Sequence, residues 1–259
     1  MCQLLGMNCN VPTDICFSFT GFCARGGSTD DHKDGWGIAF FEGPGCRLFI
    51  DEKSSATSPV ANLVKQYPIH SQHVIAHIRK ATQGKVALQN CHPFRRELWG
   101  RYWVFAHNGD LQGIEEPTKG LYRPVGDTDS ERAFCLILEA LRTAFPQGQF
   151  TTLQLYTVLQ EVTNRLSQHG IFNYLLSDGV HLVAHCSTNL HYIVRQAPFA
   201  KAHLVDQDVT VDFQELTTPQ DRVAVIATLP LTDNETWTAI APNQLLLFQD
   251  GRPLDPATL

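Results

Sequence analysis

The sequence predicts an α+β protein with two largely antiparallel sheets and helices packed on their outer faces. Three observations carry this reading. Strand-like segments fill the first and last parts of the 259 residues, two helical segments stand side by side between them, and strand and helix do not alternate as a doubly wound parallel sheet requires.

In chain order, CQLLGM opens as a strand, followed by WGIAFF at 36–41, CRLFID at 46–51, HVIAHIR at 73–79 and YWVFAH at 102–107. The period then changes. From Thr128 to Phe145 the apolar residues Phe134, Ile137, Leu138, Leu141 and Phe145 recur at helical spacing, and Thr128 with Glu131 predicts a capping box at the helix start. Leu155, Val158, Leu159, Val162 and Leu166 mark a second helix that stops near Gly170. Strands return with IFNYLLS and HLVAHCS around Asp178-Gly179, then HYIVRQ, VTVDF, RVAVIAT and QLLLFQ, the last turning at Asp250-Gly251. No repeat, low-complexity tract or linker interrupts residues 2–259, so one domain is expected.

With 43% hydrophobic and 18% charged residues the composition is that of an ordinary globular chain. The formal net charge is -6 and no block of Lys and Arg stands out, so no nucleic-acid or acidic-membrane partner is expected. The longest apolar run, VAVIATLPL at 223–231, is strand-sized, well short of the ~20 residues of a membrane span. The first residues lack the basic-then-apolar layout of a signal peptide, which makes the cytoplasm the expected compartment.

Eight cysteines in a chain of this size, without that layout, are expected to be reduced and mostly buried as small apolar residues. The even spacing of Cys2, Cys9, Cys16 and Cys23 does not match zinc-ligand pairs. His70, His73, His77, His92 and His107 cluster in sequence, and His73 and His77 fall on one strand face, but no HExxH pattern or suitably spaced carboxylate accompanies them. They read as packing and hydrogen-bonding residues; no metal and no other cofactor is expected.

Four segments combine polar groups with strand ends or helix starts: Cys2, HIRKATQG at 77–84, AHNGDL at 106–111 and GDTDSE at 126–131. Each has a plain structural reading. Cys2 fits a small buried residue of an edge strand. Arg79 closes an apolar strand and suits either an ion pair or, through its planar fork, a substrate carboxylate. Asn108-Gly109 is a common hairpin-turn pair. Asp129 sits in the first turn of a helix, where the helix dipole favours a carboxylate.

Taken together, the N-terminal cysteine, HIRKATQG followed by NCHPF, then HNG and DTDSE resemble the glutaminase domain of class II glutamine amidotransferases, members of the N-terminal-nucleophile hydrolases. KDGWGIAF at 33–40 also resembles a segment of that family. The resemblance implies a four-layer αββα sandwich and cleavage of the γ-amide of glutamine or a γ-glutamyl compound. Cys2, exposed by removal of Met1, would form a γ-glutamyl thioester, with its own α-amine as base. Asn108 and Gly109 would stabilise the oxyanion. Arg79 would grip the substrate α-carboxylate and Asp129 the α-ammonium, with Thr82 retained among the substrate contacts. Lys80 and Gln83 depart from the family pattern, in which tryptophan and histidine are common in synthase members, so the surroundings of the glutamate portion are expected to differ. The expected partner is a small-molecule substrate. A separate synthase that accepts ammonia, activity only with such a synthase, and a non-catalytic γ-glutamyl-binding module are the alternatives.

Overall fold

The computed structural model describes residues 2–81, 84–114 and 120–258. The strands are β1 (Gln3–Thr13), β2 (Trp36–Glu42), β3 (Gly45–Asp51), β4 (Ser71–Ile78), β5 (Phe94–Leu98), β6 (Arg101–Leu111), β7 (Gly170–Ser177) and β8 (Leu182–Cys186). They continue as β9 (His191–Gln196), β10 (Lys201–His203), β11 (Thr210–Asp212), β12 (Arg222–Ala227), β13 (Thr238–Ala239), β14 (Gln244–Gln249) and β15 (Arg252–Pro253). The helices are α1 (Cys16–Ala24), α2 (Pro59–Gln66), α3 (Asp129–Ala144) and α4 (Thr152–Leu166).

Two large antiparallel sheets result, a seven-stranded one in the order β13-β9-β12-β1-β4-β2-β3 and a six-stranded one in the order β15-β14-β8-β7-β6-β5, while β10 and β11 pair as a separate ribbon. Strand alternation splits the apolar residues between two cores. Leu4 of β1, Ile75 of β4, Ala106 of β6 and Leu175 of β7 meet between the sheets. Leu5, Val74 and Ala76 point the other way, toward Phe19 and Phe22 of α1 and Val64 of α2. On the far side, Phe105 and Phe172 pack with Phe134 and Leu138 of α3 and Leu159 of α4. The layers are therefore α, β, β, α.

β1 lies in the middle of its sheet, between β12 and β4, and is not an edge strand. Burial on both faces is why it reads as a nearly continuous apolar run. Helices α1 and α2 are absent from the sequence reading. CFSFTGFCA of α1 buries residues around most of its circumference and so carries no amphipathic period. α2 is only eight residues long, and its signals are an N-cap at Ser58 and Pro59 at the first position.

The capping box expected at Thr128 forms by half. Thr128 Oγ1 accepts the Glu131 N–H at 3.3 Å, but the Glu131 carboxylate accepts the Gly126 N–H at 2.7 Å and pairs with Arg96. A complete box stands at the start of α4, where Thr151 and Gln154 exchange both bonds. Asp250 and Gly251 both take positive φ between β14 and β15, the backbone of a tight hairpin.

Candidate active site

Cys2 immediately precedes β1, and the register pairs Gln3 with Ile78 at the end of β4. Continuing that register by one residue sets Cys2 beside Arg79. Its half-buried thiol contacts both backbone groups of Lys80, with Lys80 N–H donating to Sγ at 3.3 Å and Sγ–H donating to Lys80 C=O at 3.4 Å. Burial pushes the Cys2 thiol up from its ordinary value, against the Lys80 N–H and the Arg79 charge, which favour the thiolate.

Arg79 is 3% exposed, so it is a buried rather than a surface arginine. Strand-like pairing persists through it: its N–H donates to Gly35 C=O at 2.8 Å and its C=O accepts the Asp34 N–H at 3.1 Å. The guanidinium donates to the carbonyls of Lys85 at 3.1 Å and Gly84 at 3.4 Å, which fix the orientation of its fork.

Asn108-Gly109 is not a turn. Both residues lie within β6, opposite Asn173 and Phe172 of β7. A Cβ at Gly109 would come within 1.9 Å of Ile171 O, so close approach of β7 requires the glycine. Pairing of β5 with β6 runs only to Phe105, which leaves that edge of β6 uncovered further along. Side chains take over there. The His107 N–H donates to His92 Nδ1 at 3.3 Å, and the Leu111 N–H donates to Asp129 Oδ2 at 2.9 Å. Alternate residues of a strand direct their N–H groups to the same edge, so the Gly109 N–H points out between these two, into a small cleft that Gly109 lines together with Cys2, Arg79 and Asp129.

Asn108 does not line that cleft. It is buried, its Oδ1 has no hydrogen-bond partner, and its Nδ2 is 3.5 Å from Thr228 Oγ1. Thr228 Oγ1 also accepts the Leu4 N–H at 2.9 Å, two residues beyond Cys2. Thr228 has no local sequence signal, because its contact with β1 spans the length of the chain. Asn173 was likewise invisible in sequence; it holds Asn108 C=O at 2.9 Å and the N–H groups of Ser187 and Thr188.

Asp129 opens α3 with its carboxylate buried at the positive end of the helix dipole. His92 and His107 also line the cleft; the buried His77 donates from Nε2–H to His107 C=O at 3.0 Å, and the His77 and His92 rings lie 4.1 Å apart between centroids, tilted by 33°. His107 Nε2–H donates to Ile171 C=O at 3.1 Å, and its Nδ1 faces Ser130 Oγ at 2.8 Å. Burial holds His77 down to about 3 and His92 and His107 below their ordinary range, so all three are neutral. Thr82 and Gln83, and Met1, lie outside the described residues. All eight cysteines are free thiols, five of them buried.

Residues 1–258 match the family model of class II glutamine amidotransferases. A protein of Escherichia coli (strain K12), YafJ, provisionally named a glutamine amidotransferase, is 56% identical over 248 residues, covering 96% of this chain and 97% of its own. A protein of Haemophilus influenzae with the same provisional name is 52% identical over 254 residues, 98% of this chain and 86% of its own. The crystal structure of a protein from Pseudomonas aeruginosa PA01, described as a predicted glutamine amidotransferase, superposes with a TM-score of 0.78 at 47% identity, covering 98% of this chain and 99% of that one. Phosphoribosylpyrophosphate amidotransferase of B. subtilis shares the fold, with a TM-score of 0.60 at 15% identity over 97% of this chain and 48% of that one.

The four-layer αββα sandwich is a fold of the N-terminal-nucleophile type. The chain belongs to the class II glutamine amidotransferase family.

Proposed function

We propose that this protein hydrolyses the γ-amide of glutamine, or of a γ-glutamyl compound, through a thioester on Cys2. The observation that carries the reading is the Gly109 N–H, directed into the cleft between two neighbours whose own N–H groups are already bound by His92 and Asp129. A donor so placed beside a thiol suits the oxyanion of a tetrahedral intermediate, where one such bond contributes ~2.7–4 kcal/mol.

A buried thiol with a raised pKa is a poor nucleophile unless a base removes its proton. Of the neutral histidines that line the cleft, His107 is held at both ring nitrogens, by Ile171 C=O and Ser130 Oγ, and His92 Nδ1 accepts the His107 N–H. The free α-amine of Cys2, formed when Met1 is removed, has a reference pKa of ~7.7–8.0 and lies on the same residue as the sulfur. It takes the thiol proton as Sγ attacks the amide carbon. It then delivers that proton to the departing nitrogen, and water resolves the thioester to free glutamate.

Arg79 and Asp129 grip opposite charges at the α-end of the substrate, which selects a free amino-acid end over an internal glutamine. Ser130 Oγ is 2.8 Å from His107 Nδ1 but 3.4 Å from Asp129 Oδ1, so its proton goes to the histidine and that carboxylate oxygen is left for an ammonium. Asn108 joins as the second oxyanion donor on the family resemblance, and a half-turn of its amide would let Oδ1 accept from the Thr228 hydroxyl and free Nδ2. Thr82 joins the substrate contacts on the family resemblance alone.

The test is Cys2→Ala. Glutamate release should vanish while binding of a γ-glutamyl ligand survives. Substantial residual hydrolysis would assign the nucleophile to another residue.

A further inference from the structure

Lys80 follows Arg79 directly and lines the same cleft, and its backbone is the part of the chain that contacts the Cys2 sulfur. Its side chain is half-buried, and among the described residues its ammonium makes no ion pair or hydrogen bond. That leaves an unpaired cation on a residue that lines the cleft.

The charges of the site give an answer, resting on the hydrolase reading above. A bound glutamine brings one carboxylate and one ammonium, matched by Arg79 and Asp129. The thiol is held protonated and the histidines neutral by burial. Ammonia leaves uncharged. With glutamine in place and the Cys2 α-amine in its neutral, basic form, Lys80 is, among the described residues lining the cleft, the charge left without a match.

Direction supports a match on the leaving-group side. Strand-like pairing continues through Arg79, and consecutive side chains of an extended chain project to opposite sides. With the Arg79 guanidinium holding the α-end of the substrate, the Lys80 side chain leaves the extended chain on the other side, where a group carried by the leaving nitrogen would meet it. A flexible four-carbon stem carrying a point charge suits a carboxylate there without demanding one fixed geometry.

We propose that the site takes γ-glutamyl-amino acids, amides whose leaving amine carries a carboxylate, and that Lys80 pairs with that carboxylate. The reaction balances with water alone. Sγ bonds to the γ-carbonyl carbon as the C–N bond breaks, the thiol proton passes to the leaving nitrogen, and a free amino acid departs. Water then cleaves the thioester to glutamate and restores the thiol.

The experiment compares γ-glutamylglycine, its neutral isostere γ-glutamylglycinamide and glutamine, by glutamate release from the wild type, Lys80→Gln and Lys80→Arg. The expected wild-type kcat/KM for γ-glutamylglycine exceeds that for the glycinamide by about tenfold or more. This ratio should collapse toward one in Lys80→Gln and persist in Lys80→Arg. A wild-type ratio near one, or an undiminished ratio in Lys80→Gln, overturns the assignment of Lys80 while hydrolysis of the glycinamide or glutamine upholds the underlying activity. No glutamate from any of the three would overturn both.

Discussion

Asp129 Oδ2 accepts the Leu111 N–H at 2.9 Å, so the first residue of α3 is tied to the strand that carries Gly109 two residues earlier. One carboxylate thus closes the edge of β6 with one oxygen and presents the other beside the cleft. Position and charge can be separated experimentally.

Asp129→Asn keeps an acceptor for Leu111 and removes the charge. A hydrogen bond to a charged group contributes about 1.5–3 kcal/mol, so KM for glutamine should rise by about one to two orders of magnitude, with a smaller change in kcat. Steady-state kinetics on the folded variant checks this. An unchanged KM would remove Asp129 from the ammonium site.

Thr228 links the strand that follows Cys2 to the Asn108 amide, the proposed oxyanion donor, through one hydroxyl, 2.9 Å from Leu4 N and 3.5 Å from Asn108 Nδ2. Thr228→Val keeps the shape and removes the hydroxyl. The expected result is a fall in kcat of about tenfold or more with little change in KM, restored by Thr228→Ser. Full kcat in the valine variant would mean that Asn108 is positioned without Thr228.

Stability should depend on pH through the buried histidines. Burial holds His77 down to about 3 and His73 down to about 4, and lowers His92 and His107 too. An unfolded histidine titrates near ~6.5, so between that value and the depressed folded one the unfolded chain binds more protons. The stability is fully present above ~6.5 and declines as pH falls, by up to ~1.4 kcal/mol per histidine per pH unit. Urea unfolding at about pH 7.5 and about pH 5 should show a loss of several kcal/mol. Equal stability at both would show that these rings accept protons in the folded state.

Much of the architecture was legible because period reports burial. The adjacent helices α3 and α4 display an apolar stripe that packs on one sheet, and the strands around them alternate or run apolar according to how many faces are covered. α1 was not legible, since an all-apolar helix and a buried strand look alike without a stripe. Local pairs misled where tertiary context decided the outcome. Asn108-Gly109 has turn chemistry but sits in mid-strand, because the close approach of Ile171 O requires glycine there.

The site divides in the same way. Cys2, Arg79, Gly109 and Asp129 carry their chemistry in their residue types, and the fold brings all four to one cleft. The buried Arg79 is oriented by carbonyls that follow it closely in sequence, but the partners of Asn108 come from remote strands and no local pattern announces Thr228 or Asn173.

The whole reaction turns on Cys2, with its α-amine free, as the nucleophile. The most direct test is the intact mass of purified protein, with peptide mapping, after brief exposure to diazo-oxo-norleucine, a glutamine analogue that alkylates such thiols. The expected product is a species lacking Met1 and carrying a single adduct on Cys2, with no labelling of Cys2→Ala. Retention of Met1, or an adduct on any other cysteine, would contradict it.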